Sequence, residues 1–480
     1  MQPIFNKHFL KMNKKLLVVS AVALIVSSAS FAGGLLTNTN QNAAFLRNPA
    51  RDAVIAIDGV YSNPAGIAFL PKGTHFSLSW QAAWQKREIT STFPYYANNE
   101  SSLGTTTKKF VGKAQAPVIP SFQFAYVFND KWSVSAQFAI GGGGGKCEFE
   151  DGLGSFEQLV GSQIMVTGLA QSYGLTQNLT GEQYFYALQV GGTYKITDNV
   201  AIFGGVRGVL ANCAYEGAIR NIKVNGMNAA QYQAAADMAL AGANQALQAG
   251  LTDKYIELMT TSATAGAVAA QIKDDYVLDC QQDGFGITPI IGVDVNLGKL
   301  NLAAKYEFRT KIELENDSKN SDNVDQMFSD YKNGGKIRSD IPALLTVGAQ
   351  YAFYDNFRVN GGYHLYFDKD ASGSPTQVSN NTWEASLGCE GDITDRWTLS
   401  FGVQRTQYGF DDEDMSDMNF NIRNTSLGLG GAYKINKVLK LQFGYYHTFY
   451  DNHKVVKAEN AKDLYTRKND VVGLALDFRF

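Results

Sequence analysis

The sequence predicts an all-β fold, a 14-stranded antiparallel transmembrane β-barrel with an amino-terminal plug and a helical extracellular loop. Three observations carry that expectation. Apolar and polar residues alternate with period 2 in segment after segment. Short and long connections alternate strictly between those segments. The last segment is amphipathic and ends on an aromatic residue, Phe480.

The amino end is expected to be an export signal. Met12-Asn13-Lys14-Lys15 is basic, Leu16 to Val26 is almost wholly apolar, and Ser30 and Ala32 occupy the small-residue positions before a cleavage site. An apolar core of about a dozen residues is too short to span a bilayer as a helix. The expected divisions are therefore 1–32 as signal peptide, with Met12 as an alternative start, 33–72 as plug and 73–480 as barrel. Downstream, nothing approaches 18 uninterrupted apolar residues. An exported chain is permitted disulfides, and Cys213 and Cys280, which flank one long loop with inward parity, are the pair expected to bridge.

Composition supports strands and turns. Glycine accounts for 47 of 480 residues and aromatics for 12%, which suits short turns and aromatic girdles. A net charge of −3 gives no reason to expect nucleic-acid binding.

Strands are expected at 74–90, 117–128, 131–140, 182–196, 199–220, 284–297, 299–315, 340–354, 356–368, 381–393, 395–408, 422–435, 437–450 and 468–480. The final one shows the pattern best. Val472, Leu474, Leu476, Phe478 and Phe480 share one face, and Gly473, Ala475, Asp477 and Arg479 the other. Six connections are tight: Asn129-Asp130, Thr197-Asp198-Asn199, Gly298-Lys299, Asp355-Asn356, Thr394-Asp395 and Asn436-Lys437. These residue types tolerate hairpin-turn backbone angles. The other seven, 91–116, 141–181, 221–283, 316–339, 369–380, 409–421 and 451–467, are long. Within them, Asn228 to Ala270 is rich in Ala, Gln, Leu and Met and should be helical, and 155–170 should hold a short helix.

Residues 33–72 lack strand periodicity. They carry Asn48-Pro49-Ala50 and Asn63-Pro64-Ala65-Gly66, which favour turns, so a non-repetitive path through the lumen is expected. Gly33-Gly34-Leu35-Leu36-Thr37-Asn38-Thr39-Asn40-Gln41, the stretch Asp58-Gly59-Val60-Tyr61-Ser62-Asn63-Pro64-Ala65-Gly66 and Leu70 resemble the hatch of the FadL/TodX outer-membrane transport family. The resemblance implies fourteen strands, a hatch containing Asn48, Pro49, Asn63, Pro64, Ala65 and Gly66, and a terminal Phe. It also implies passive outer-membrane transport of hydrophobic solutes, long-chain fatty acids being the default. The long loop at 221–283 and the second Asn-Pro-Ala at 48–50 depart from that family's pattern. A hemin or other apolar-ligand receptor of the same fold and a general diffusion porin are the rival readings.

Gly141, Gly142, Gly143, Gly144 and Gly145 follow the third strand, where that family carries an inward kink; a run of glycines resists extended pairing. A lateral opening is expected there. Arg207, Lys305, Arg309 and Arg358 have lumen-facing parity and suit a carboxylate, although a salt-bridged network between wall and plug uses the same residues. Asp411 to Asp414 is read as a solvated loop in preference to a cation site beside lipopolysaccharide. No catalytic or nucleotide signature is present, so neither an enzyme nor a cofactor or metal is expected. His364 is read as a lumen polar group. Expected surroundings are outer-membrane lipid and lipopolysaccharide, the barrel-assembly machinery acting through Phe480, and a monomeric state.

Overall fold

The computed structural model describes residues 42–480 apart from 167, 169, 273–274 and 373–377. The expected signal peptide and residues 33–41 of the expected plug lie outside the described residues.

Seventeen strands form one antiparallel sheet, and fourteen of them close it into a barrel. The first run is β1 (Gly73–Thr92), β2 (Thr107–Val127), β3 (Trp132–Phe149), β4 (Tyr173–Lys195), β5 (Val200–Val224), β6 (Tyr276–Asn296) and β7 (Leu300–Glu307). After β8 (Glu313–Ser318) and β9 (Lys336–Arg338) come β10 (Leu344–Tyr354), β11 (Phe357–Tyr366), β12 (Thr382–Asp392), β13 (Trp397–Gln407), β14 (Asn424–Lys434), β15 (Leu439–Tyr450), β16 (His453–Ala458) and β17 (Ala461–Arg479). The wall closes where β17 pairs with β1, Phe76 opposite Phe478, and Phe480 exchanges backbone hydrogen bonds with Thr74. Strands β8, β9 and β16 are additions to the loop side.

All six expected tight turns connect neighbouring strands at one end of the barrel. At that end aromatic side chains pair on the outside: Trp132 with Tyr194 and Trp397 with Tyr433, each at 4.6 Å between ring centroids. Eight residues up β4, Tyr186 stacks beside Tyr184. That separation is about 26 Å along the strand, or roughly 20 Å of height at the usual tilt, the scale of a bilayer's apolar band. Between these levels Leu188, Ile202, Ile291, Leu399 and Leu474 point outward and exposed. An apolar belt flanked by aromatic girdles on a closed barrel is a lipid-facing surface.

The wall is uneven in height. Strands β1 to β6 and β17 run 18 to 25 residues, whereas β10 to β15 run 10 to 12. About 9–11 residues suffice to cross a bilayer, so the long strands stand above it on the loop side. Several expected boundaries are corrected accordingly: β2 starts at Thr107, β4 at Tyr173 and β17 at Ala461. The expected strand 299–315 breaks at Phe308 and resumes as β8. The helical expectation resolves into α3 (Gly154–Met165), α4 (Ala229–Gln248) and α5 (Thr252–Gln271), the last two joined at Ala249 to Leu251. Cys213 is opposite Gln282 and Cys280 opposite Tyr215, so the two thiols are diagonal neighbours, and both are free. Diagonal Cα atoms lie roughly 7–8 Å apart, beyond the about 4.4–6.8 Å a disulfide spans.

Residues 42–70 run against the inward face of the wall. Asn42 caps α1 (Ala43–Arg47) by accepting from Ala44 N–H, while its amide donates to Ser77 and Gln123 of β1 and β2. The path continues through α2 (Gly59–Ser62) and a 3-10 turn at Pro64–Phe69, where Asn63 accepts from Gly66 N–H. Room for this path comes from inward-facing glycines. A Cβ on Gly428, Gly444 or Gly473 would fall within 2.7 Å of Leu46, and one on Gly402 would fall 2.6 Å from Pro49. Gly402 lies opposite both Gly388 and Gly428, so the glycines form a belt across neighbouring strands.

This packing makes a test of Gly444→Val, whose side chain would strike Leu46 and Ala43. The barrel should still assemble, judged by heat-modifiable gel mobility, but trypsin should cut at Arg47 or Arg51, both buried in the native protein. A variant as resistant as the parent would show that the segment does not rely on the glycine belt.

Candidate functional site

The polar part of the lumen is a set of charges joining the inner segment to the wall. Arg47 donates to Glu390 of β12 at 2.6 Å, to Ser400 at 2.7 Å and to Gln442 of β15. Arg51 pairs with Asp58 through both its Nε and Nη2, and with Glu390 at 3.0 Å. Asn63 and Asn301 both donate to Asp294, and Asn301 also reaches the carbonyl of Ala53. His364 lies 3.0 Å from both Asp52 and Glu384. Buried charges are tolerable only when paired in this way.

The four cations expected to face a carboxylate ligand are already engaged within the chain. Arg207 meets Glu307 at 2.6 Å and Gln189 at 2.7 Å, and Lys305 meets Glu307 at 2.7 Å and the carbonyl of Tyr61 at 2.8 Å. Arg358 pairs with Asp392 at 2.8 Å, and Arg309 lies 3.7 Å from Asp340. Asn48 and Pro49 pack on the glycine belt, and Pro64 accepts from Thr193 through its carbonyl. Arg207 and Lys305 are tied to the segment through Glu307 and the Tyr61 carbonyl, and Arg358 through the Glu390 that also holds Arg47 and Arg51, whereas Arg309 is engaged on the loop side, away from the segment.

A cap closes the loop side. Helix α3 lies beneath it, with Phe156, Val160 and Ile164 in an apolar cluster that also takes Tyr96, Tyr173, Phe410, Phe420 and Tyr465. Asp417, in the loop after β13, accepts from the Ser155 amide at 2.7 Å. Burial pushes its carboxyl above the usual range, against the opposing pull of Lys457.

Between cap and inner segment is a cavity of about 330 Å³. Gln81, Ala83, Gln85 and Arg87 of β1, Ala116 and Ile119 of β2, and Ile140, Gly142, Gly143, Gly145, Cys147 and Phe149 of β3 are among the residues that line it, with Leu179, Tyr408, Met418, Tyr450, Arg467 and Asn469. Its size falls at the small end of ligand pockets.

One edge of the cavity coincides with an interruption in the wall. Strands β2 and β3 pair from Gly112–Phe149 to Gln115–Lys146 and again from Ser121–Ala139, but residues 116–120 and 140–145 between those points are not paired with each other. Two features cause it. Pro117 and Pro120 bring no N–H to the ladder. The glycine run bends β3 through two bulges against β4, and Gly143 has φ of 69°, a conformation that other residues adopt at a cost. A Cβ there would lie 2.2 Å from the Gln183 carbonyl. The expectation that β3 stops at residue 140 is corrected: the strand passes through the glycines and keeps β4, losing only β2. Val118, Phe122 and Phe138 are exposed beside the interruption, within the apolar belt.

Arg87 and Arg467, which both line the cavity, were not among the expected site residues. Arg87 has lumen parity in an expected strand, but Arg467 falls in a stretch read as loop, so their opposition on β1 and β17 stayed hidden.

No family model and no curated protein matches the sequence. Solved structures do match in fold. A Pseudomonas aeruginosa FadL homologue aligns with 93% of this chain and 100% of its own, at TM-score 0.62 and 13% identity. The Pseudomonas putida toluene transporter TodX aligns with 88% of this chain and 94% of its own, at TM-score 0.55 and 14% identity. A TodX mutant described as a monoaromatic hydrocarbon channel covers 92% of this chain and 99% of its own, at TM-score 0.58 and 16% identity. At these identities the likeness is one of fold.

The lumen network yields a measurable expectation. Glu390→Gln removes the acid shared by Arg47 and Arg51 and leaves their guanidiniums undercompensated; breaking such a buried pair costs about 3–5 kcal/mol. The midpoint of urea unfolding in detergent should fall accordingly, whereas Glu313→Gln, on an exposed pair with Lys336, should leave it nearly unchanged.

Proposed function

We propose that this FadL/TodX-fold barrel is a passive outer-membrane channel for hydrophobic solutes, long-chain fatty acids foremost, that releases them sideways through the β2–β3 interruption. The observation that carries the reading is the coincidence of cavity, broken pairing and lipid belt at Gly141 to Gly145. A hydrophobic solute gains nothing by crossing a polar lumen into water. Passing from cavity to lipid conserves about 0.8 kcal/mol per buried methylene.

In this reading residues 33–72 act as the hatch, with Asn48, Pro49 and Asn63 to Gly66 fixing its path. The charge network that ties the described part to β12, β15 and β6 supports a segment that blocks the direct route. That same segment weighs against a general porin. The hemin reading has less support, since the cavity lining holds no histidine among the described residues. Export by the amino-terminal signal, assembly through Phe480 and contact with lipopolysaccharide complete the proposal. The two TodX structures named above are described as a toluene transporter and a monoaromatic hydrocarbon channel, which supports a non-enzymatic role.

Gly142→Val tests the exit. The side chain would fill the cavity where β3 leaves β2, so uptake of a radiolabelled long-chain fatty acid by cells carrying the variant should drop to near background while heat-modifiable mobility stays normal. Unchanged uptake in a correctly assembled variant rules out this exit. Deleting residues 42–72 should separately raise ion conductance in planar bilayers by an order of magnitude, since residual lumen side chains would no longer be bridged.

A further inference from the structure

We propose that the outward faces of β17, β1 and β2, just above the lipid belt, form a binding site for the phosphorylated sugar head of an outer-leaflet glycolipid. The inference rests on the outer-membrane reading above and gives its lipopolysaccharide contact a place and a chemistry.

Aromatic residues of β1 fix the level. Phe76 stacks on Phe478 at the tight-turn end, and Trp84, eight residues farther up, is 45% exposed on the same outward face. Tyr194 and Tyr186 have the same spacing on β4, so Trp84 belongs to the upper girdle. The next outward row lies about 7 Å farther along the strand, where lipid heads begin. In that row Lys468, Lys86 and Lys113 follow one another across β17, β1 and β2 as direct Cα partners. All three are exposed. Like charges directly opposite each other in a ladder are destabilising, and here the clash occurs twice in succession.

Nearby acids do not remove it. From Trp84 to Thr90 and their cross-strand partners, the outward positions carry four lysines, the fourth being Lys109, against Glu88 and Asp470. Glu88 is shared, lying 2.7 Å from both Lys86 and Lys109. Asp470 accepts from the Tyr445 hydroxyl at 2.5 Å and lies 2.6 Å from His447 Nδ1. Lys113 is 4.0 Å from Glu150, and both side chains are mostly exposed. Ion pairs this exposed hold little energy, so the lysines can exchange them for phosphate. Lys468 and Lys113 are separated by two strand spacings, about 10 Å, which gives one head room for more than one anionic group.

Two features favour a glycolipid over a phospholipid. The surplus of cations suits a multiply anionic head better than a zwitterion. Directly beneath the lysines, Trp84 and Asp470 are themselves cross-strand partners. The negative face of an indole attracts the C–H face of a sugar ring, and a carboxylate accepts from its hydroxyls in charge-assisted hydrogen bonds.

The test follows binding of fluorescently labelled rough lipopolysaccharide to the purified full chain in detergent, with dephosphorylated lipopolysaccharide and phosphatidylglycerol as competitors. Both competitors should bind about ten-fold or more weakly, the equivalent of one charged hydrogen-bonded contact. K86Q/K468Q should weaken lipopolysaccharide by a similar factor, and W84A should weaken it without changing phosphatidylglycerol. Heat-modifiable mobility and fatty-acid uptake of K86Q/K468Q should match the parent. Parent-like binding by the assembled double variant overturns the site and leaves the transport reading standing. Equal competition by phosphatidylglycerol overturns the sugar head, since the surface would then take any anionic lipid. A parent chain missing from the outer-membrane fraction of cells counts against the reading on which the inference rests. Should the double variant fail to assemble, Lys113→Gln supplies the comparison: weaker binding is expected, and unchanged binding overturns the site.

Discussion

In hydrocarbon no water is available to satisfy a backbone N–H or C=O, so a sheet crosses a bilayer only if it closes and every group finds a partner. The rest of this structure depends on that constraint. It dictates an even number of antiparallel strands, the return of β17 to β1, and the tight turns that join strands without leaving an edge. It also makes any break in pairing informative. Between Ala116–Pro120 and Ile140–Gly145 the ladder of β2 and β3 lapses at the level of the apolar belt. The local sequence reduces the cost of that lapse: two prolines bring no donors, and glycines let β3 bulge toward β4 and keep that partner. The unpaired stretch faces a cavity, not the packed lumen, which is where a route through the wall has value.

Filling the lumen is the second demand, and it is met by a short segment with little regular structure. Such a segment has backbone groups of its own to satisfy. Asn42, Asn48 and Asn63 do so locally, through side chains that accept from amides two or three residues on. The glycine belt brings the wall close enough for Gln189, Thr193 and Asn301 to take up carbonyls of the segment. Arg47 and Arg51 then converge on Glu390 from one chain segment, so a single wall acid positions two residues of the inner path. Segment and wall thus specify each other, since neither set of buried charges is tolerable without its partner.

Much of this was legible in the sequence, for a physical reason. Within the bilayer one face of each strand meets lipid and the other meets polar side chains, so alternation is strong and the fourteen strands and six turns could be counted. Above the bilayer both faces are wet or packed under loops, and the alternation fades. That is why β2, β4 and β17 proved longer than their apolar pattern, why Arg467 was assigned to a loop, and why the hairpin of β16 with β17 was missed. Parity placed Cys213 and Cys280 on the inner face but could not give register, and a shift of two residues set them diagonally. The glycine run at Gly141 to Gly145 was conspicuous, yet which neighbour β3 would lose depended on Pro117 and Pro120, residues on another strand.

The uneven height of the wall connects these points. If β1 and β17 ended at the membrane surface, as β10 to β15 nearly do, the positions of Arg87 and Arg467 would lie in open loops and their charges would be screened by water. Extending both strands beyond the belt holds the arginines in a ladder, with Arg87 over the Phe420 ring of the cap and Arg467 over the Tyr450 ring of β15. The same extension carries β2 and β3 upward, so the interruption is enclosed from above by paired strand from Gly112 to Gln115. Height on this side of the barrel thus creates a chamber with an apolar flank and a broken seam.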